Sequence, residues 1–335
     1  MMSLREVEEA GRVIKGLVRK TPLRRSQFLS SFCSGEVYLK LENQQITNSF
    51  KIRGALNKIL HLNIEEIEQG VVTASAGNHG LAVAISAEKL NIHVKIVVPK
   101  SAPKIKTDKM KKHNVKLILY GDIYDEAERR AIDLARKDGL TYISPYNDRF
   151  VIAGQGTIGL EILEDLPSVD TIIVPVGGGG LISGISLAVK RIKPHVQVIG
   201  VQSESSPVMY ESLKAGRIVD AKMKDSIADG LFGGIEKESI TFKIVQEHVD
   251  ELLLVKEKTI RKAIFLLWKK EKQISEGAGA VAIAPVIEHK RMFTGKTTVA
   301  VISGGNIEEK LFNHILASES DDVHDFFNEE TGTLA

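Results

Sequence analysis

Apolar residues recur along this chain with two periods, and the alternation of those periods marks out helices and strands. Val7, Ala10, Ile14, Leu17 and Val18 fall at helical spacing and predict an amphipathic helix over 5–18, stopped by Thr21-Pro22. Residues 36–41 alternate as a strand. Ile52, Ala55, Leu56, Ile59 and Leu60 then share one helical face that begins at Lys51. From Val71 the pattern becomes strand, glycine turn, helix. A strand at 71–73, the turn Ser75-Ala76-Gly77-Asn78-His79-Gly80, an alanine-rich helix at 81–90 and a strand at 94–98 form a βαβ unit, whose two strands are expected to be parallel. A second unit holds a helix ending at Met110, a strand at 115–119 and a helix at 125–137.

The second half repeats this logic. Residues 152–163 read as a helix entered through a glycine-containing turn, Ala153-Gly154-Gln155-Gly156-Thr157. A buried strand at 171–176 runs into Gly177-Gly178-Gly179-Gly180 and a helix at 181–190. A strand at 196–201, helices at 260–272 and 279–287, and a last strand at 297–302 follow, the last ending in Ser303-Gly304-Gly305-Asn306. The expected architecture is α/β, with two open twisted sheets of parallel type flanked by helices. The large domain is assigned to 1–69 plus 148–320, a small mobile domain to 70–147, and a loose acidic tail to 321–335, with the ligand in the cleft between the domains.

Composition narrows the function. The 335 residues are 43% hydrophobic and 26% charged, as in an ordinary globular protein, and a net charge of +2 gives no general attraction for nucleic acid or membrane. Six lysines lie between Lys100 and Lys112, but no aromatic is interleaved to stack bases, so they read as a solvated helix face. A single cysteine, Cys33, excludes an internal disulfide framework and a cysteine-rich metal site. No signal peptide or spanning segment is visible, which makes a cytoplasmic protein the expectation.

Three features could carry chemistry. Lys51 opens a helix behind Phe50, where the helix dipole and burial both favour a neutral amine, the form a covalent lysine catalyst needs. Four glycines between a buried strand and a helix let backbone N–H groups approach a phosphate. They do not spell the dinucleotide fingerprint, and the strand after them leads to Gln202-Ser203 with Glu204 slightly late, so a nicotinamide oxidoreductase is the second reading. The loop from Ser75 to Gly80 offers donors at a helix start, suited to a carboxylate.

Taken in order, residues 47–55, 75–80, 151–157, 177–180 and 303–306 resemble the fold-type II pyridoxal phosphate enzymes, which share the architecture of the tryptophan synthase β chain. Within them the chain is similar to the threonine/serine dehydratases, with serine racemase as near neighbour, and the resemblance covers 5–317. It implies pyridoxal 5'-phosphate as cofactor and Lys51 as the Schiff-base lysine. It implies Phe50 packed beside the cofactor and Asn78 on its ring oxygen. Gly177, Gly178, Gly179, Gly180 and Leu181 would hold its phosphate, and Ser303 would face its ring nitrogen. Ser75, Ala76, Gly77, Asn78 and His79 would grip the substrate carboxylate. The implied reaction is β-elimination from threonine and serine, giving 2-oxobutanoate or pyruvate plus ammonia. No metal site is implied, and a homodimer or homotetramer is.

Departures from the family pattern are informative. Racemases of the family carry a serine where this chain has Ala76, and metal ligands where it has Gln202 and Val208. Racemisation is therefore not expected. Asn48 stands where glycine is common and Gly277 where proline is usual, which leaves hydroxyaspartate or phenylserine open as substrates. About thirty residues follow Asn306, so the regulatory domain of the biosynthetic members, with isoleucine feedback, is not expected.

Overall fold

Two sheets account for the ten strands of the computed structural model, which describes residues 2–102 and 104–319; the expected acidic tail lies outside the described residues. The strands are β1 (Leu23–Arg25), β2 (Glu36–Lys40), β3 (Val71–Ala74), β4 (Val94–Val98), β5 (Val115–Leu119), β6 (Thr141–Tyr142), β7 (Thr171–Pro175), β8 (Gln197–Ser203), β9 (Glu251–Val255) and β10 (Thr297–Val301). The first half supplies helices α1 (Leu4–Val13), α2 (Gln27–Cys33), α3 (Lys51–Leu60), α4 (Ile64–Gln69), α5 (Asn78–Lys89), α6 (Lys104–Met110), α7 (Tyr124–Asp138) and α8 (Arg149–Asp165). The second half adds α9 (Gly180–Ile192), α10 (Val208–Ala215), α11 (Ile240–His248), α12 (Glu257–Glu271), α13 (Gly277–Ala280) and α14 (Ala284–Glu288).

The small sheet has the order β5-β4-β3-β6 and is parallel throughout. The large sheet has the order β1-β2-β10-β7-β8-β9, parallel except for the edge pair β1–β2. Helices cover both faces of the large sheet, so β7 is buried along its whole length. Its residues alternate: Ile173 joins the core under α12 and α14, while Ile172 and Val174 join the core under α8 and α9. Each such side chain contributes about 1.5–3 kcal/mol by leaving water. The apolar stripe of α3 (Ile52, Ala55, Ile59) packs in one core with Val71, Val94 and Ile96 of the small sheet.

Three local expectations are corrected. The glycines at 154 and 156 do not make a turn. They lie inside α8, which starts earlier, at a cap where the Asp148 carboxylate accepts from the Phe150 and Val151 amides. These glycines are thinned contact points. A Cβ at Gly154 would sit 2.5 Å from the Arg53 carbonyl oxygen of α3, and one at Gly184 of α9 would sit 2.3 Å from the Ile152 carbonyl oxygen. The first helix ends at Val13, and Gly16 turns the chain at φ +77°. The helix expected over 279–287 is two short helices joined by a 3-10 turn, with Pro285 in the first turn of α14. Among the described residues no helix is long and apolar enough to cross a membrane.

The functional consequence lies at the strand ends. The 75–77 loop follows β3, Pro145 lies shortly after β6, the glycine run follows β7 and Ser303 follows β10. All lie beyond carboxyl ends of parallel strands, where open α/β sheets bind ligands. Since α8 touches both α3 and α9 through backbone, Gly184→Val is expected to lower the unfolding free energy by about 3 kcal/mol, as read by urea denaturation.

Candidate active site

Lys51 is the first residue of α3, and its chain entry is fixed by pairing with the strand-end loop at 303–305. The Phe50 amide donates to the Ser303 carbonyl (3.1 Å) and the Gly305 amide to the Asn48 carbonyl (2.8 Å). Asn48 adopts φ +55°, a left-handed conformation that asparagine tolerates and glycine adopts freely, which accounts for the exchange of the two at this position. The Lys51 ammonium lies 5.2 Å from the Phe50 ring centroid, and Nζ donates to the Pro145 carbonyl at 2.9 Å. Burial drives the amine down to about 8 from its ordinary 10.5, against the opposing pull of the Glu276 carboxylate.

A buried charge network holds this helix from its other side. Arg53 donates through Nε and Nη2 to Glu42 (2.9 and 2.8 Å) and through Nη1 and Nη2 to Glu161 of α8 (2.6 and 3.0 Å). Lys40 Nζ also donates to Glu161, at 2.5 Å. Burial pushes the Glu42 carboxyl up, but Arg53 outweighs it and holds it below the usual range. Two cations and two anions thus cancel.

The loop after β3 presents Ser75, Ala76 and Gly77 ahead of α5. Ser75 Oγ accepts from the Gly77 amide, which sets the loop's turn. Asn78 opens α5 and donates through Nδ2 to Glu276 Oε1 at 2.6 Å, while its Oδ1 accepts from Asn306 Nδ2 at 2.7 Å. His79 is directed elsewhere. Its Nε2 bonds the Ile143 carbonyl at 3.0 Å, and burial and the Lys51 charge push the ring down to about 3. It is a neutral ring pinned to the small sheet, and only its backbone N–H is offered to a carboxylate.

The glycine run is packed so closely that it tolerates no side chains. Cβ atoms at Gly178 and Gly180 would lie 2.6 and 3.0 Å from Tyr146, and one at Gly177 would lie 3.1 Å from Leu231. Gly179 has φ +89°, and Thr241 Oγ1 donates to the Gly178 carbonyl at 2.7 Å. Gly180 and Leu181 start α9, whose first amides have no helical partner. Ser303 is buried after β10 and donates to the Ala278 carbonyl at 3.2 Å. The donor set fits pyridoxal phosphate: side-chain-free amides at a helix start for the phosphate, a desolvated amine for the aldehyde, and a hydroxyl for the ring nitrogen. Two buried polar atoms beside these groups, Ser49 Oγ and His79 Nδ1, have no protein partner.

Sequence reasoning did not single out Arg53, Glu276 or Asn306 for roles, although Arg53 and Asn306 stand inside quoted motifs and Glu276 beside the noted Gly277. Among the described residues no group of three His, Cys, Asp or Glu side chains gathers as metal ligands. At the positions where racemases place ligands, Gln202 Oε1 accepts from the Tyr210 amide at 2.9 Å and Val208 is buried.

Comparison with known proteins agrees with this geometry. Residues 14–304 match the family described as pyridoxal-phosphate dependent enzyme. The chain is 47% identical over 317 residues to an L-threonine ammonia-lyase of Thermotoga maritima, covering 94% of this chain and 78% of that protein. It is 45% identical over 312 residues to a catabolic L-threonine dehydratase of Staphylococcus aureus, covering 92% and 90%. Among solved structures, maize serine racemase superposes with a TM-score of 0.89 at 31% identity, covering 96% of this chain and 99% of that one. The nicotinamide alternative falls with these matches. The chain belongs to the pyridoxal-phosphate-dependent enzymes of the group that includes the threonine dehydratases and serine racemase.

Proposed function

We propose that the protein is a threonine ammonia-lyase that also accepts L-serine, converting them to 2-oxobutanoate or pyruvate plus ammonia. The observation that carries this reading is a buried lysine amine whose Nζ reaches the Pro145 carbonyl, with the glycine run at the start of α9 packed on the next residue, Tyr146. The matched L-threonine ammonia-lyase and dehydratase supply the substrate. Pyridoxal phosphate, when bound, supplies an electrophilic carbon and an electron-accepting ring. Lys51 Nζ would hold the cofactor and, once displaced by the substrate amine, take the α-proton as a neutral base. The Pro145 carbonyl orients that amine. The amides of Gly177 to Leu181 would bind the phosphate. The 75–79 loop would bind the substrate carboxylate through its amides and the Ser75 hydroxyl. Asn78 would meet the ring oxygen, Phe50 would pack on the ring, and the Ser303 hydroxyl, turning from the Ala278 carbonyl, would donate to an unprotonated ring nitrogen. Loss of the β-hydroxyl is then favoured over a persistent negative charge at the α-carbon.

Ala76, at the position where the resemblance implies a racemase's serine, has no side-chain proton to give or take, so racemisation would lack its second acid/base. The assembly and compartment of this reading are a homodimer or homotetramer in the cytoplasm, with no nucleic-acid partner. Sedimentation checks the first.

Lys51→Ala is expected to abolish borohydride trapping of the cofactor on the chain and to lower 2-oxo acid release about a thousandfold or more. Release from threonine at the parental rate would refute the assignment. Because the base acts neutral and burial lowers the Lys51 amine, turnover should rise with pH to a plateau, with its acidic limb below the ordinary lysine range in a kcat profile. L-Serine should yield pyruvate with little D-serine. Ala76→Ser should raise D-serine formation about tenfold or more, read by chiral chromatography. A panel with hydroxyaspartate and phenylserine should rank both below threonine.

A further inference from the structure

Glu276 and Asn306 are buried or half-buried in the cleft, and neither has a part in the steps above. Asn306 Nδ2 donates to two acceptors, the Thr47 carbonyl at 2.9 Å and Asn78 Oδ1 at 2.7 Å. A group that donates to Asn78 on that side decides which end of its amide is oxygen. Asn78 Nδ2 is thereby turned toward Glu276 Oε1, at 2.6 Å. An amide nitrogen has two hydrogens, so one is spent on Glu276 and one remains for a ligand. Glu276 is itself confined. It is only 7% exposed, its amide donates to the Gly304 carbonyl, and a Cβ at Gly304 would lie 2.1 Å from its Oε1. One titratable group acts on the Lys51 charge, Glu276 at the cap of α13; Lys51 in turn acts on His79 of α5, which stays neutral.

We propose that Glu276 and Asn306 are positioning residues for the cofactor: Asn306 sets the flip of the Asn78 amide, and Glu276 anchors that amide while holding a carboxylate toward the Lys51 amine. The first half rests on the placement of Asn78 at the cofactor's ring oxygen given above; the second concerns the chain's own charges and does not need it. The carboxylate favours the charged amine, so its removal makes Lys51 easier to deprotonate.

The test uses the full chain with cofactor dialysed out. Lys51 is labelled with acetic anhydride across pH and quantified by peptide mass spectrometry. The parental midpoint is expected at about 8. Glu276→Gln, which keeps an acceptor oxygen and loses the charge, should lower it by about one unit or more. Asn306→Ala should leave it in place, yet weaken pyridoxal phosphate binding about tenfold in an absorbance titration. Glu276→Ala should do both. An unmoved midpoint in Glu276→Gln, or parental cofactor affinity in Asn306→Ala, overturns the proposal. Should Asn306→Ala fail to fold, Asn306→Ser, too short to reach both acceptors, carries the same expectation. Borohydride trapping separates the two levels: a cofactor trapped on another side chain refutes the reading of the site itself, whereas normal trapping on Lys51 with an unmoved midpoint refutes only the role of Glu276.

Discussion

The placement of the reactive amine depends on an ion network that never touches the cleft. Lys51 and Arg53 are two residues apart on α3, which turns them about 200° around the helix axis. One side chain therefore faces the strand ends while the other is driven into the protein. Arg53 is wholly buried there, and so are Lys40 and Glu42. Dehydrating such groups costs several kcal/mol each, and only bidentate geometry with charge balance offsets that. The guanidinium supplies both, since its planar fork meets Glu42 and Glu161 at once. The network adds little net stability. What it adds is one permitted position for α3 relative to α8, and hence one position for Nζ.

The cleft follows the opposite rule. Lys51 is stripped of water without a bidentate partner, and its Nζ donates to a neutral carbonyl. Ser49 Oγ, two residues before it, is buried with no protein group to meet it. Such groups destabilise a fold by about 1–3 kcal/mol each unless a ligand satisfies them. The large sheet's two apolar cores are extensive enough to carry this cost. The charge-balanced network behind α3 and the desolvated amine at its start separate holding from reacting.

Much of this was legible in the chain, and what was not has a common cause. The strands at 94–98 and 115–119 are found where periodicity puts them, because runs rich in Val, Ile and Leu between polar turns have few other solutions. The glycine run and Lys51 were legible because four glycines after a strand and a lysine at a helix start each point to a chemical use. The glycines of α8 misled as a turn, whereas those of 177–180 do join a strand to a helix. Glycine marks either a turn or a close approach, and only spatial neighbours decide which. Gly154 meets α3 and Gly156 meets α9, partners tens of residues away in sequence. The bond between Asn78 and Glu276 spans 198 residues, and the bond between Asn306 and Thr47 spans 259. No window along the chain holds both partners of either bond, so roles that rest on them emerge only once the sheets are assembled.

The same fold hosts racemases and dehydratases, and this chain divides them by subtraction. Both reactions need an amine that can lose its proton, and the desolvated Lys51 is the proposed one. A racemase must also return a proton from the other face, which takes a side chain there with an ionisable hydrogen; Ala76 offers a methyl group. The family resemblance implies that a racemase would carry ligands for a divalent ion at the end of β8. Here the glutamine amide oxygen that could face an ion is turned to the Tyr210 backbone, and the second ligand position is a buried valine. An ion there would have to displace an intact hydrogen bond and approach an apolar side chain, neither of which its hard oxygen preference allows. Nothing about the cofactor's own chemistry needs to differ. Without an exchangeable side-chain proton at position 76, this set of side chains favours the reading in which the β-hydroxyl is lost.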